Sequence, residues 1–357
     1  MSYPVLYEAT ETDFSHGGFG FLSDCIQCEV TEEANGEFEL YMRYPIDGIH
    51  FDDIANNRII KVRLDRIREP QRFRIYSISK PLSKVVTVKA HHISYDLSGI
   101  PVSPFSASTV QGAMAGLKTN SAVDSPFEFW TDKESSGTFN VSVPSSVRSN
   151  LGGGKGSILD VFGGEYEFDN YTVKLYNSRG EDRGFAIRYG KNLLDINQEE
   201  NVSSVVTGVY PYWLSSDGST VIQLPEKIVN APGTYDFVRI LPLDLSNAFS
   251  SKPTETELRT FAENYVQNNN IGVPSVSLSV SFAQIDQSEE YKHLNLFERV
   301  SIFDTVHVEF PLLNVSTTAK VVRIVYDVLL DRIKTASIGS VKTNIADTVA
   351  SLQKAQK

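Results

Sequence analysis

The segment GEFELYMRYP at 36–45 alternates apolar and polar side chains with a period of two residues. Successive side chains of a strand point to opposite faces, so the four apolar residues Phe38, Leu40, Met42 and Tyr44 should share one buried face. Further strands are predicted in three segments: 58–65, with Ile60, Val62 and Leu64 on one face, 72–80, and 84–97. Several short strands separated by turn signals predict a small barrel or sandwich over residues 1–98.

The composition changes after residue 98, where Ser, Gly and Pro become frequent. Ser108 is a candidate N-cap for a short helix, with Val110, Met114 and Leu117 at helical spacing. Ser157 is a candidate cap for a second short helix over 157–164. Strand patterns occupy the rest: 126–132, 138–144 and 165–190, the last around an Arg179-Gly180 turn. These patterns predict an α+β module over 99–195.

The second half of the chain is again rich in strand patterns, at 201–213, 273–285, 298–311 and 319–339. One helix interrupts them at 254–269, with Thr254 and Glu257 forming a capping box. We expect a second β domain from 196–225 and 273–340, with 226–272 as an inserted loop and helix segment. Residues 341–357 predict a short amphipathic helix that would start a stem.

The net charge is −11, from 33 basic and 44 acidic residues. A general nucleic-acid binder needs a basic face to replace the counterions of phosphate groups, so this balance argues against that class. No apolar run approaches the roughly 20 residues that span a bilayer. The first residues have no basic segment followed by an apolar one, so we do not expect a secretory signal.

Cys25 and Cys28 form a C-x-x-C motif, which is compatible with a redox pair or half a zinc site. A second pair of ligands at zinc spacing is missing from the sequence. If Ile26, Cys28 and Val30 share one face of a strand, the two thiols should point to opposite faces. We therefore expect two structural thiols in a protein made in a reducing cytoplasm.

Other possible sites have simpler explanations. The GGGKGS sequence at 152–157 has no Lys before its Ser and so differs from a phosphate-binding loop, and Gly190-Lys191-Asn192 matches that motif even less. His91 and His92 are adjacent, so in a strand they would point to opposite faces and could not share a metal. The other four histidines form no zinc motif; they are His16, His50, His293 and His307. We predict no catalytic, cofactor-binding or metal-binding residue and no cofactor.

Two segments resemble the prophage tail endopeptidase, or tail-associated lysin, family. The first is VKAHHISYDL at 88–97. The second is 163–213, with its Gly-Glu pair, aromatic strand, Arg-Gly, Tyr-Gly-Lys-Asn turn and Thr-Gly-Val-Tyr-Pro strand. The resemblance covers about residues 15 to 340 and concerns the N-terminal hub part of the family, which is similar to the central baseplate hub of contractile phages.

The resemblance implies a mainly β fold with α+β modules, in which two β-barrel-like tube domains are joined to additional domains. It implies a homotrimeric ring that closes and then extends the tail tube. The implied partners are the distal tail protein, the tape measure protein and a receptor-binding protein, with DNA passing through without specific binding. The implied location is the virion tail tip, after assembly in the host bacterial cytoplasm, without stable membrane insertion.

Two other functions remain open at this point. One is a cell-wall endopeptidase, although no position matches a peptidase motif, so we expect the chain not to be an enzyme. The other is a module that binds host-surface glycan through exposed aromatic residues, for which Trp130 and Trp213 are the candidates.

Overall fold

The structure is a computed structural model. It describes residues 3–64, 68–79, 82, 84–188, 193–201, 205–246, 248–249, 251–269, 271–272, 275–282, 300–310 and 315–339. Gly190-Lys191-Asn192, His293 and the predicted C-terminal helix at 341–357 lie outside these residues. None of the described helices is long and apolar enough to cross a bilayer.

The first region consists of seven strands. They are β1 (Val5–Tyr7), β2 (Gly20–Phe21), β3 (Gln27–Glu33), β4 (Phe38–Pro45), β5 (Ile59–Val62), β6 (Gln71–Ser79) and β7 (Val85–His92). The alternation predicted for 36–45 is confirmed, since Phe38, Leu40, Met42 and Tyr44 are buried and the residues between them are not. The predicted strand at 84–97 is too long: it ends at His92, and Ile93–Gly99 forms a 3-10 helix.

The next region mixes helices and short strands. Its strands are β8 (Pro101–Val102), β9 (Phe105–Thr109), β10 (Glu128–Thr131), β11 (Ser136–Val141), β12 (Ser145–Ser146), β13 (Glu165–Asp169) and β14 (Thr172–Tyr176). Its helices are α1 (Val110–Thr119), α2 (Val147–Leu151) and α3 (Ile158–Phe162). Thr109, and not Ser108, caps α1, because the Thr109 hydroxyl accepts the Gly112 N–H. The prediction of Ser157 as the cap of α3 is confirmed.

A small β unit with one helix follows two further strands of the large sheet. The two strands are β15 (Asp182–Arg188) and β16 (Leu193–Asn201). The unit contains β17 (Gly208–Leu214), β18 (Val221–Gln223), β19 (Val229–Asn230), β20 (Ile240–Asp244) and α4 (Glu255–Asn268). The predicted capping box of α4 is confirmed: the Thr254 hydroxyl accepts the Glu257 N–H, and the Glu257 carboxylate accepts the Thr254 N–H.

The strand predicted at 201–213 lies in a different place from the one expected. We expected it to enter the same layer as residues 273–340, but β17 pairs with β18, β19 and β20 in a separate four-stranded sheet. Its buried residues Val209 and Trp213 belong to a core that also contains Leu258 and Ala262 of α4. The reason is the alternating face of β17, which packs against the apolar face of α4.

The last strands are β21 (Ser275–Phe282), β22 (Thr305–Phe310), β23 (Val315–Asp327) and β24 (Arg332–Gly339). The segment 319–339 is therefore two strands joined by a turn. These strands join the first region in one sheet of the order β16-β21-β24-β23-β3-β4-β7-β6-β5-β1-β2, with β22 and β15 branching from β23. The mainly β fold with α+β parts is confirmed, while the predicted domain limits stay predictions.

Candidate functional site

The junction between β3 and β23 joins the two halves of the large sheet. The strands are antiparallel over five residue pairs, from Arg323 opposite Glu33 to Asp327 opposite Glu29. Two ion pairs reinforce the ladder on its accessible face: Arg323 Nε lies 3.3 Å from Glu33 Oε1, and Lys334 Nζ lies 2.7 Å from Glu29 Oε1. Each such pair contributes little by itself, so the backbone ladder carries the connection.

A second contact fixes the end of the β3–β4 hairpin to the α+β region. Asn35, at the hairpin turn, is buried and has a positive φ of 52°. Its amide Nδ2 donates to the carbonyl of Gly164 at 3.0 Å, and its Oδ1 accepts the N–H of Tyr166 at 2.8 Å. A single side chain therefore satisfies two backbone groups of the β13 region.

Charged side chains surround this contact and link the β3–β4 hairpin, the β13 region and β23. Arg68 donates two hydrogen bonds to the Glu32 carboxylate, at 3.2 and 3.0 Å. Arg179 lies 3.4 Å from Glu167 and 3.9 Å from Glu32. Lys320 of β23 donates to Glu165 at 2.6 Å. The hairpin end of the first β region, β13 and β23 thus share one network of charges.

A buried polar chain holds the other side of the α+β region to the first β region. Gln71 donates to the Asp169 carboxylate at 2.9 Å, and its Oε1 lies 3.1 Å from His92 Nε2. The other ring nitrogen, Nδ1, lies 3.0 Å from the Ser94 hydroxyl, which accepts a hydrogen bond from Arg148 at 3.0 Å. Because Nδ1 also accepts the Ser94 N–H at 3.3 Å, the geometry favours the neutral ring with its proton on Nε2.

Arg148 and His92 are both buried, and burial disfavours the charged form of each side chain. Arg148 is 2 % exposed, and its guanidinium carbon lies 4.0 Å from the ring centre of Tyr95. Burial lowers the pKa of Arg148, and its Nη2 has no hydrogen-bond partner. Burial and the nearby charge of Arg148 also lower the pKa of His92 well below its ordinary value. The core between the two regions therefore depends on a neutral histidine.

The two cysteines are both buried, at 7 % and 1 % exposure for Cys25 and Cys28, and both are free thiols. The prediction that their side chains point to opposite faces of one strand is wrong, because Cys25 precedes β3 and both side chains belong to the same buried core. Cys25 precedes β3 in a turn, where its thiol donates to the Gln27 carbonyl at 3.1 Å, and Ile26 is exposed. Burial, followed by the contact with Cys25, raises the pKa of Cys28 well above its ordinary value.

The adjacent histidines do point to opposite faces, as predicted. His92 lies in the core, stacked on Phe38 at 4.3 Å between ring centres. His91 lies on the other face, between the rings of Tyr76 and Tyr95 at 3.9 and 4.3 Å, and pairs with Glu39 at 2.8 Å. Among the residues that the structure describes, no group of three or more His, Cys, Asp or Glu side chains could hold a metal.

The two tryptophans have different environments. Trp213 is 8 % exposed and lies in the core beneath α4, so its ring is not available at the surface. Trp130 is 45 % exposed on β10, with its ring centre 5.2 Å from that of Tyr176. The GGGKGS segment leads into α3, where the carboxylate of Asp160 accepts the Gly156 N–H at 2.7 Å. The Asp160 carboxylate therefore holds the end of this segment to the first turn of α3.

The chain is similar to known proteins in both sequence and fold. Residues 181–349 match the family described as "Prophage endopeptidase tail". The resemblance to the prophage tail endopeptidase family is confirmed. The matched segment includes β15 to β24, which form the second half of the large sheet and the unit of α4. The motif at 88–97, and the part of 163–213 before residue 181, lie outside it.

Solved structures of three phage-type tail proteins are similar over nearly the whole chain. The prophage tail protein gp18 from Listeria monocytogenes EGD-e is 14 % identical, with 99 % of each chain covered and a TM-score of 0.62. A tail protein from Neisseria meningitidis MC58 is 9 % identical, covering 97 % of this chain and 99 % of its own, with a TM-score of 0.60. The 43 kDa tail protein of prophage MuSo2 from Shewanella oneidensis is 10 % identical, with coverages of 96 % and 98 % and a TM-score of 0.59.

Identities this low establish a shared fold and leave the details of function to be argued. A search of curated protein sequences gives no significant match. Together, the family match over residues 181–349 and the shared fold show that this chain is similar to prophage tail proteins.

The sequence did not point to the residues that hold the regions together, namely Asn35, Gln71 and Arg148. The Asn35-Gly36 dipeptide is a hairpin signal and could have located the turn. Its contact with Tyr166 joins residues 131 positions apart and has no sequence signal. Arg148 is one of 33 basic residues, and only the packing around it shows that it is buried.

Proposed function

We propose that this protein is a structural hub at the tip of a phage or prophage tail. Three copies would form a ring that closes the tail tube and later opens a channel for DNA. The observation that supports this most is the β3–β23 ladder, which joins strands from both halves of the chain in one sheet. A sheet shared by two regions transmits force through backbone hydrogen bonds and suits a ring under mechanical load.

The contacts at the junction fit a rigid unit better than a hinge. Asn35 and the buried chain from Asp169 to Arg148 attach the α+β region to the first β region at two places. Any opening of the ring would therefore leave these regions together, because separating them exposes Arg148, Asn35 and His92 without their partners.

The charge of the chain fits a channel through which DNA passes without binding. A net charge of −11 would repel phosphate groups wherever acidic side chains line the channel. The distal tail protein above the ring, the tape measure protein inside it and a receptor-binding protein below it are the partners that we propose, following the family resemblance. Assembly in the host bacterial cytoplasm, before the virion is released, is part of the same proposal.

We further propose that the described part of the chain acts without catalysis. A cysteine peptidase needs a thiolate, and the buried Cys28 has its pKa raised, which opposes thiolate formation. A zymogram with host cell walls tests this. Cell-wall lysis by the purified chain, lost on Cys28→Ser substitution, would overturn the structural proposal.

Glycan binding remains a testable second function because of one observation, the exposed Trp130 beside Tyr176. An exposed aromatic pair can stack on the apolar face of a sugar ring. Saturable binding to purified cell-wall glycan, abolished by Trp130→Ala and kept in Trp213→Phe, would support it. Binding that is unchanged in Trp130→Ala would remove this surface from consideration.

The oligomeric state is the direct test of the hub. Light scattering over a range of concentrations should give about three times the chain mass of 39.7 kDa. Electron microscopy of that species should then show a ring with a central channel. A single chain at every concentration, also in the presence of the distal tail protein, contradicts the proposal.

A further inference from the structure

A cavity of about 600 Å³ opens to solvent between the first β region and the α+β region. Its walls are the loop at 12–15, Lys61 of β5, Glu69, Pro70 and Arg72 at the start of β6, and the β13–β14 turn at 169–172. Pockets in which proteins bind small ligands measure about 300 to 1,000 Å³. This cavity is therefore large enough for a small molecule or for the end of a longer one.

Hydrogen bonds hold both walls of the cavity in place. On one side, the Lys61 ammonium donates to the carbonyl of Phe14 at 2.6 Å and fixes the loop to β5. On the other side, the Asn170 amide donates to the carbonyl of Pro70 at 3.2 Å, and its backbone N–H donates to Gln71 Oε1 at 3.1 Å. Because both walls are fixed, a ligand would enter without the cost of ordering a loop.

Two positive charges at the cavity have no carboxylate partner. The guanidinium carbon of Arg72 lies 4.0 Å from the ring centre of Phe14 and 5.3 Å from that of Tyr171. Arg72 Nε has no hydrogen-bond partner, and neither Arg72 nor Lys61 forms an ion pair with any residue that the structure describes. A guanidinium that is fixed by stacking presents its planar donors to the two oxygens of a carboxylate or phosphate group.

Oxygen acceptors line the same cavity, in the carboxylates of Asp13, Glu69 and Asp169. Asp169 already accepts a hydrogen bond from Gln71 at 2.9 Å and lies 3.4 Å from Lys174 Nζ. A neutral sugar would leave the two cations unpaired, and a simple inorganic anion would offer these acceptors no donor. The lining therefore fits a ligand with one negative group and several hydroxyl groups.

The cavity and the exposed aromatic pair lie along one face of the same small sheet. Thr172, at the cavity, is opposite Glu128, and Lys174 is opposite Trp130. Paired residues of neighbouring strands project to the same side, so Thr172 and Trp130 share a face. Tyr176, the partner of Trp130, follows Thr172 by four residues on β14, which is about 13 Å along the strand. A short oligosaccharide could contact both places.

We propose that this cavity binds the negative group of an acidic glycan, while Trp130 and Tyr176 stack on a neighbouring sugar of the same chain. The inference rests on the glycan binding proposed above as a second function, and it adds the charge of the glycan and the place of its negative group. Arg72 and Lys61 would bind the carboxylate or phosphate, and the cavity carboxylates would accept the sugar hydroxyls. The net charge of −11 does not attract anions in general, so binding depends on these two local cations.

Titration calorimetry with matched probes tests the charge of the ligand. The probes are trigalacturonic acid, its neutral methyl ester, and a glycerol phosphate trimer that carries phosphate in place of carboxylate. We expect the chain to bind at least one of the two acids and to bind the ester about tenfold more weakly, since the ester forms no charge-assisted hydrogen bond. The acid that binds more tightly identifies the negative group as carboxylate or phosphate.

Variants locate the binding. Arg72→Gln and Lys61→Gln each remove one positive charge and should weaken binding of the acid by about tenfold. Arg332→Gln is the matched control, because Arg332 is exposed on β24 and does not line the cavity. Trp130→Ala should weaken binding of trigalacturonic acid but not of galacturonic acid, which is too short to reach both places. The comparison of acid with ester needs no variant, so it tests the charge even where a substitution impairs folding.

The possible results separate this inference from the proposed functions. Equal binding of the acids and the ester overturns the inference, and so does an unchanged affinity in both Arg72→Gln and Lys61→Gln. In either case, binding that is lost in Trp130→Ala would leave glycan recognition standing at the aromatic pair alone. If none of the probes and no purified cell-wall glycan binds, both the inference and the glycan function are wrong. The trimeric hub would still stand, because light scattering tests it independently.

Discussion

The side chain of Asn35 accepts a hydrogen bond from the backbone N–H of Tyr166 at 2.8 Å, and both residues are buried. This contact joins the tip of a hairpin in the first β region to the first residues of β13. On the α+β side the contact uses a backbone N–H, so it depends on the side chain of Asn35 and not on the side chain of Tyr166. The hairpin therefore acts both as part of the sheet and as the attachment point of the next region.

Replacing Asn35 with Ala should destabilise the protein by about 2 to 4 kcal/mol. The change leaves the Tyr166 N–H and the Gly164 carbonyl buried without partners, at about 1 to 3 kcal/mol, and places Ala at a positive φ, at about 1 kcal/mol. Urea unfolding measures the difference. Asn57→Ala is the matched control, because Asn57 also has a positive φ, of 69°, but is exposed. Equal losses in both variants would show that the hydrogen bonds contribute little.

Gly180 and Gly184 make a pair in which only one glycine is confined. Both have positive φ angles, 79° and 69°. A Cβ on Gly180 would lie 2.3 Å from the backbone of Phe303, whereas a Cβ on Gly184 would meet nothing within 4 Å. Gly180→Ala should therefore cost about 1 to 3 kcal/mol more than Gly184→Ala in urea unfolding, because backbone atoms must move. Similar values for the two variants would contradict the close approach of Gly180 to the backbone of Phe303.

The buried His92 should make stability fall in mild acid. Its pKa is lowered in the folded state, so between that value and the ordinary value of about 6.5 only the unfolded chain binds the proton. Stability is then complete above pH 6.5 and is lost as the pH falls, at up to about 1.4 kcal/mol per pH unit. Urea unfolding between pH 7.5 and 5 measures this slope.

Two variants identify the source of that slope. His92→Gln cannot take up a proton and should flatten the dependence between pH 6.5 and 5, although it lowers stability overall. His16→Gln changes a half-exposed ring and should keep most of the wild-type slope. A slope that survives in His92→Gln would assign the acid sensitivity to other groups, such as the carboxylates.

Cys25 and Cys28 should resist alkylation in the native protein. Both are buried, and the raised pKa of Cys28 keeps its thiol protonated at pH 8. Iodoacetamide labelling followed by mass spectrometry should show little modification in buffer and modification of both thiols in urea. The variant Ser79→Cys supplies an exposed thiol that should react rapidly under native conditions. Rapid native labelling of Cys28 would reopen the enzymatic alternative.

The sequence by itself determined the elements whose formation depends on neighbouring residues. The alternation of Phe38, Leu40, Met42 and Tyr44 defined β4 and its buried face, because side-chain direction in a strand follows from position alone. The capping box located the start of α4, because its two partners, Thr254 and Glu257, lie only three positions apart in the sequence. Family motifs then indicated the type of protein, although the confirmed match begins only at residue 181.

Only the tertiary structure decided how those elements combine. Strand β17 has the same alternation whether it joins the large sheet or packs beneath α4, so its sequence could not say which. The burial of Cys25 and Cys28 in the same core depends on a turn before β3 that the strand pattern concealed. The pairing of β3 with β23 joins residues nearly 300 positions apart. Such contacts form because complementary edges and buried polar groups need partners, and those partners are fixed by the folded chain as a whole.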